Sequence, residues 1–204
     1  MQYETDPKLI ESMSMEIIDN NLKPHHYSKE ELAVVKRMIH TSGDFDYQDI
    51  IDIKPGAVQS ALTAVRNGCS IVTDTKMALS GINKQVLEKF GCSIDNYVSH
   101  IDVVNVAREK GITRSMAAID YAVERETDIF VIGNAPTALF RLGELIEEGR
   151  TNPELVIAVP VGFVGAAESK EYIRLIDVPS VSTIGTKGGS NIAAAVLNAI
   201  LYLQ

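Results

Sequence analysis

A chain of 204 residues with 46% apolar and 23% charged side chains suits one good-sized globular domain. Its net charge of −8 excludes a general affinity for nucleic acid or anionic membrane, because both demand a basic surface. An anionic small molecule stays open to it, since that needs only a few local cations and helix N-termini.

Residues Met1 to Asp6 carry neither the basic nor the apolar region of a secretory signal, so a cytoplasmic location is expected. The most apolar segment, Ile192 to Leu203, falls short of the ~20 residues that a membrane span requires. Cys69 and Cys92 do not form a spaced ligand or redox pair and read as buried free thiols.

Asp6 as N-cap and Pro7 at the first helical position announce a helix to about Asn20. Ile10, Ile17 and Ile18 mark its buried stripe, and Ser14 falls on the same stripe by the 3.6 period. That serine either bonds back to the Ile10 carbonyl or faces a polar cavity. A loop with Pro24, His25 and His26 follows; no acidic or thiol ligand stands at a zinc-like spacing, so no metal is expected there. Ser28 and Glu31 then form a capping box for a second helix. Leu32, Val34, Val35, Met38 and Ile39 are its apolar arc, which leaves Ala33, Arg37 and His40 outside.

The run Arg37 to Asp44 combines an arginine, a histidine one turn later, the hydroxyls of Thr41 and Ser42, a glycine and an aspartate. Histidine titrates near neutrality, at about 6.5, and an arginine three residues earlier shares its neighbourhood on the helix surface. Arg37 and His40 can therefore meet one ligand, one holding an anion and the other handling a proton. A helix-terminal histidine also serves simply to complement the helix dipole.

From Pro55 onward the pattern becomes regular. A helix over about Gly56–Asn67 leads into short β-branched runs at Ser70–Thr73, Tyr97–Ile101, Ile129–Ile132, Leu155–Val159 and Val181–Ile184. Helices near Lys84–Phe90, Arg114–Arg125, Pro136–Glu148 and Ala167–Leu175 separate them, and Asn191–Leu203 closes the chain. Such alternation predicts an α/β three-layer sandwich around a doubly wound, mainly parallel five-stranded sheet, in the flavodoxin-like order 2-1-3-4-5. Residues 1–54 read as an N-terminal helical addition to a 55–204 core, all one domain. The last helix is apolar almost all round; it sits centrally in the sandwich or packs on a second subunit, and a homodimer is favoured.

Ligands of open α/β sheets bind beyond the carboxyl ends of the strands. The loops expected there carry Asp74, Thr75, Lys76 and Met77; His100, Asp102 and Asn105; Gly133, Asn134 and Thr137; Gly162, Phe163 and Gly165; and Gly185, Lys187, Gly188 and Ser190. Any one of these is also what a short βα turn requires. The last loop precedes a helix N-terminus, yet it matches neither a Walker A loop nor a G-x-G-x-x-G fingerprint. Arg114 follows Thr113, a helix N-cap, where the dipole disfavours a cation. Either a bound carboxylate or phosphate or a surface ion pair accounts for it.

Four stretches then become specific. Arg37-Met38-Ile39-His40, Thr113-Arg114-Ser115, Ile132 to Phe140 and Val159 to Lys170 closely resemble the precorrin-8X methylmutases, and the likeness extends over nearly the whole chain. The resemblance implies an isomerase of corrin-ring (vitamin B12) biosynthesis. It would move a methyl group from C-11 to C-12 of a precorrin-8 or cobalt-precorrin-8 tetrapyrrole, by a formal 1,5-sigmatropic shift, without an external cofactor. It also implies His40 as the proton donor, with Ser14 and Arg37 contacting substrate. A flat polycarboxylate ring fits the remaining residues. Met77 and Phe163 offer apolar surface; Arg37, Arg114, Lys76 and Lys187 offer cations. Thr41, Asp74, Asn134, Thr137, Gly162 and Gly188 complete the expected substrate-binding set. Two other readings remain at this point: a tetrapyrrole carrier without chemistry, and a phosphate- or nucleotide-binding enzyme using Gly185–Ser190.

Overall fold

The computed structural model describes residues 3–204. Its sheet contains β1 (Ile51–Ile53), β2 (Ser70–Thr73), β3 (Ser93–Asp95), β4 (Ile129–Ile132), β5 (Leu155–Ala158) and β6 (Ser180–Thr183), in the order β1-β6-β5-β4-β2-β3. The strands β2 to β6 pair in parallel and have the flavodoxin-like order expected of them. A sixth strand, β1, adds an antiparallel edge against β6. Ile51-Asp52-Ile53 is too short to announce itself by periodicity, and only its pairing with β6 makes it a strand. The second expected strand also moves: β3 is Ser93–Asp95, with Ser93 and Asp95 exposed as befits a short edge strand. The Tyr97–Ile101 run instead leads into a helix, α7 (Ile101–Lys110), so Asp102 and Asn105 are helical.

The two central strands β4 and β5 are buried at every position, as a sheet covered on both faces demands. One face, with Ile129, Val131, Leu155, Ile157 and Val181, receives α4 (Ala57–Arg66) and α11 (Ser190–Leu201). The other face, with Val72, Phe130, Ile132, Val156 and Ala158, receives α8 (Arg114–Val123), α9 (Pro136–Glu147) and α10 (Ala166–Leu175). Phe130 is completely buried there; full burial of one such side chain contributes about 1.5–3 kcal/mol.

Residues 7–53 pack onto this body. Besides α1 (Pro7–Asn21) and α2 (Lys29–Ser42) they hold α3 (Tyr47–Ile50) and supply β1. Along α2, Val34, Val35, Met38 and Ile39 are buried in the same cluster as Val196, Leu197 and Ile200 of α11. The closing helix therefore has the sheet on one side and α2, α4 and α5 (Lys76–Gly81) on the others. Its all-round apolarity is satisfied within one chain and no longer argues for a second subunit.

The stripe of α1 differs from expectation. Ile18 is buried, but Ile10 and Ile17 are 45% and 58% exposed. The main neighbour of this helix is α2, and the covered side is that of Met15, Ile18 and Leu22, rotated from the predicted stripe. Both cysteines are free thiols as expected, Cys69 buried and Cys92 half-buried; each precedes one of the paired strands β2 and β3, which brings their sulfurs to 3.7 Å. Among the described residues no helix is long and apolar enough to cross a membrane.

Candidate active site

Because β2 and β4 to β6 run parallel, their carboxyl ends open on one rim. The antiparallel β1 brings its start, not its end, to that rim: Ile51 pairs with Thr183, and the Ile184 amide donates to the Ile50 carbonyl at 2.7 Å. The turn after α2 is thereby carried to the last loop. There the Lys187 ammonium meets Asp44 at 2.6 Å and Asp46 at 2.8 Å. These bonds hold the Asp44 carboxyl below its usual range and the Lys187 amine above its own.

The rim is rigidly built. At the end of β2, the Asp74 carboxylate accepts the Gly133 amide at 2.9 Å and the Asn134 and Ala135 amides at 2.8 Å. Burial pushes its pKa up, against the pull of those amides. Asp74 is expected from the sequence to contact substrate; in the structure its buried carboxylate acts as a strut beneath the loop, taking its partners from inside the fold. Thr75 caps α5 through its hydroxyl, which also bonds the Ser190 hydroxyl at 2.8 Å. The Gly162 amide donates to the Thr186 carbonyl at 3.1 Å, and the Gly189 amide to the Val159 carbonyl at 2.9 Å. A Cβ on Gly188 would stand 2.1 Å from the Val159 carbonyl oxygen, so only glycine fits. Thr113 and Thr137 touch through their hydroxyls at 3.1 Å, placing the start of α8, and Arg114 with it, beside the Asn134–Thr137 loop.

Above this floor the side chains point outward. Met77 is 71% exposed and Phe163 94%, while Asn134 and Thr137 are also exposed. Arg114 is exposed and forms no ion pair among the described residues, which removes the surface-pair alternative. His40 is exposed and makes no hydrogen bond among the described residues. Capping of α2 falls to Gly43, in left-handed conformation at φ 67°, whose amide donates to the Ile39 carbonyl at 2.8 Å. Thr41 and Arg37 line a hollow of about 280 Å³ with Asn191, Asn198 and Tyr202 of the closing segment. Arg37 is partly engaged, 3.3 Å from Glu11 and over the Tyr202 ring at 5.3 Å.

Ser14 is not drawn into this group; its hydroxyl bonds the Ile10 carbonyl at 2.8 Å, the local option. Lys187, the lysine of the Gly185–Ser190 loop, is already paired with Asp44 and Asp46, which disfavours a phosphate there. Lys170 was missed by sequence reasoning although it ends the Val159–Lys170 stretch. It is fully buried, donating to the Thr183 hydroxyl at 3.1 Å and the Lys187 carbonyl at 2.8 Å. Burial, helped by Arg174, brings its pKa down to about 8. Among the described residues no three His, Cys, Asp or Glu side chains gather as a metal site.

The comparisons with known proteins agree with one another. The precorrin-8X methylmutase family model matches residues 9–203. The cobalt-precorrin-8 methylmutase of Salmonella typhimurium is 47% identical, with 99% of this chain and 98% of that protein covered. Its counterpart from Leptospira interrogans is 43% identical over 96% of this chain and 93% of its own. The crystal structure of the precorrin-8X methylmutase from Thermus thermophilus superposes with a TM-score of 0.89 at 39% identity, covering 96% of this chain and 95% of that one. The chain belongs to the precorrin-8X methylmutase family, isomerases of cobalamin biosynthesis.

Proposed function

We propose that this chain moves a methyl group from C-11 to C-12 of a precorrin-8 or cobalt-precorrin-8 tetrapyrrole, with His40 as proton donor, in the cytoplasm. Family membership over nearly the full length supports the reaction class. The observation that carries the assignment to His40 is its placement: exposed, without a hydrogen bond among the described residues, in the last turn of the helix whose end is tied to the rim.

In this reading the ring lies on Met77 and Phe163, and its carboxylates meet Arg114 and Lys76 through charge-assisted hydrogen bonds. Arg37, Thr41, Asn134 and Thr137 orient its edge. His40 lends a proton to the macrocycle as the methyl leaves C-11. The proton returns after the methyl has bonded to C-12, so substrate and product have the same mass. General acid help contributes roughly 10²- to 10⁴-fold, and the preorganised rim contributes by holding the ring in a migrating geometry.

A homodimer also belongs to the proposal, now on different grounds. Leu9, Ile10, Met13 and Ile17 form an exposed apolar stripe along α1, and Phe163 and Val164 are 94% and 89% exposed at the rim. A second copy, related by two-fold symmetry, covers patches of this kind. Light scattering then gives twice the chain mass.

The reaction is tested by mixing purified protein with precorrin-8 and with its cobalt form. A shift in the ring's absorption at unchanged mass is expected, and His40→Ala should slow it by about 10²-fold or more. Product formation by that variant at the wild-type rate would remove the proton-donor role. Tight binding with no spectral change in wild-type protein would favour a carrier.

A further inference from the structure

We propose that Lys187 is a positioning residue for His40, tying the end of the His40 helix to the last rim loop rather than binding substrate. The inference rests on the reading of His40 given above.

A lysine at a glycine-rich rim invites a role with substrate carboxylates, but its surroundings oppose it. Two carboxylates, Asp44 and Asp46, already face its single positive charge at 2.6 and 2.8 Å. The local sum is negative, so the group would repel a further anion.

The same contacts form a continuous path to the last turn of α2, which carries His40. At the lower end, the Lys187 carbonyl accepts the Thr183 hydroxyl at 2.7 Å and the buried Lys170 ammonium at 2.8 Å. Lys170 makes no ion pair among the described residues, so this carbonyl is one of its two anchors. The loop has no slack on its other side, where Gly188 closes on the Val159 carbonyl. At the upper end, Asp44 is four residues beyond His40. Its amide donates to the Ser42 hydroxyl at 3.2 Å, and that hydroxyl donates to the Met38 carbonyl at 2.8 Å. Asp46 joins in, its amide donating to the Asp44 carboxylate at 2.9 Å. The last turn of α2, which carries the exposed His40, is thus bonded to the rim.

Packing against α11 restrains the body of α2 through Met38 and Ile39, which are buried. His40 lies outside that contact, in a terminal turn of the kind that frays first. The Lys187 clamp adds a tertiary restraint to the local bonds of that turn. Displacement of a reacting group by ~1 Å costs about 10²-fold in rate, which sets the scale of the effect.

The test compares K187A, K187R and the D44N/D46N double variant in steady-state kinetics and in amide hydrogen exchange. K187A should lose about 10- to 100-fold in kcat with KM within about twofold, and K187R should recover most of the loss. D44N/D46N should reproduce the loss, and combining it with K187A should add little, because both break one contact. Exchange at Ser42 to Tyr47 should quicken in K187A. A rise in KM with unchanged kcat, or unchanged exchange, would overturn the proposal. H40A is assayed alongside: an inactive H40A with a K187A of wild-type kcat sinks the clamp alone. An H40A of wild-type rate sinks the reading of His40 on which the clamp depends.

Discussion

The Asp74 carboxylate, at the end of β2, holds the Gly133 amide of the adjacent strand's loop at 2.9 Å, and its other oxygen takes the next two amides. One side chain thereby satisfies three donors of a loop that carries Asn134 and Thr137. In D74N the side-chain amide turns donors toward donors. That variant should lose about 1–3 kcal/mol in urea unfolding, the cost of unsatisfied buried polar groups. An unchanged unfolding midpoint would leave the strut without energetic weight.

Arg114 tests the binding half of the proposal. It stands exposed at the first position of α8, against the helix dipole and without a carboxylate partner among the described residues. A charge-assisted hydrogen bond contributes about 1.5–3 kcal/mol, so R114A should raise KM by about tenfold or more while kcat stays near wild type. Recovery in R114K should be incomplete, because lysine cannot form a bidentate pair. Unchanged KM in R114A takes the residue out of the site.

Lys170 makes a prediction about pH. Burial first, and Arg174 second, lower its pKa from 10.5 to about 8 in the folded chain. Between those values the unfolded chain binds a proton that the folded chain has released, so this lysine makes stability rise with pH. Below about 8 both states are protonated, and the slope from this group vanishes. Subtracting the unfolding free energy of K170M from that of wild type, across the alkaline range, isolates the effect. A flat difference would contradict it.

The cysteines should differ in reactivity despite their proximity. Cys69 is buried, and burial together with the neighbouring Cys92 pushes its thiol pKa up. The thiolate is the reactive form. An alkylating reagent at neutral pH should therefore modify Cys92, which is half-buried, before Cys69. Peptide mass spectrometry reads the order; labelling of Cys69 first in the folded protein would contradict it.

Local chemistry made much of this protein legible. Asp6 and Pro7 start α1, Ser28 and Glu31 form the capping box of α2, and the apolar runs at Ile129–Ile132 and Leu155–Ala158 are the central strands. Each of these signals acts over a few residues, through a cap, a period or a run of β-branched side chains. The family motifs were readable for the same reason, being continuous in the chain.

Pairing between distant segments was not readable. Ile51-Asp52-Ile53 is a strand because β6 lies beside it, and the apolar surface of α11 is covered because α2 crosses it. Lys187 is 143 residues from Asp44, and no local pattern links them. Spacing alone left the Arg37 to Asp44 stretch open between a helix cap and a ligand site, and the family resemblance is what implied chemistry there. The place of that stretch was decided by the tertiary fold, because the antiparallel entry of β1 turns the end of α2 toward the carboxyl ends of the other strands.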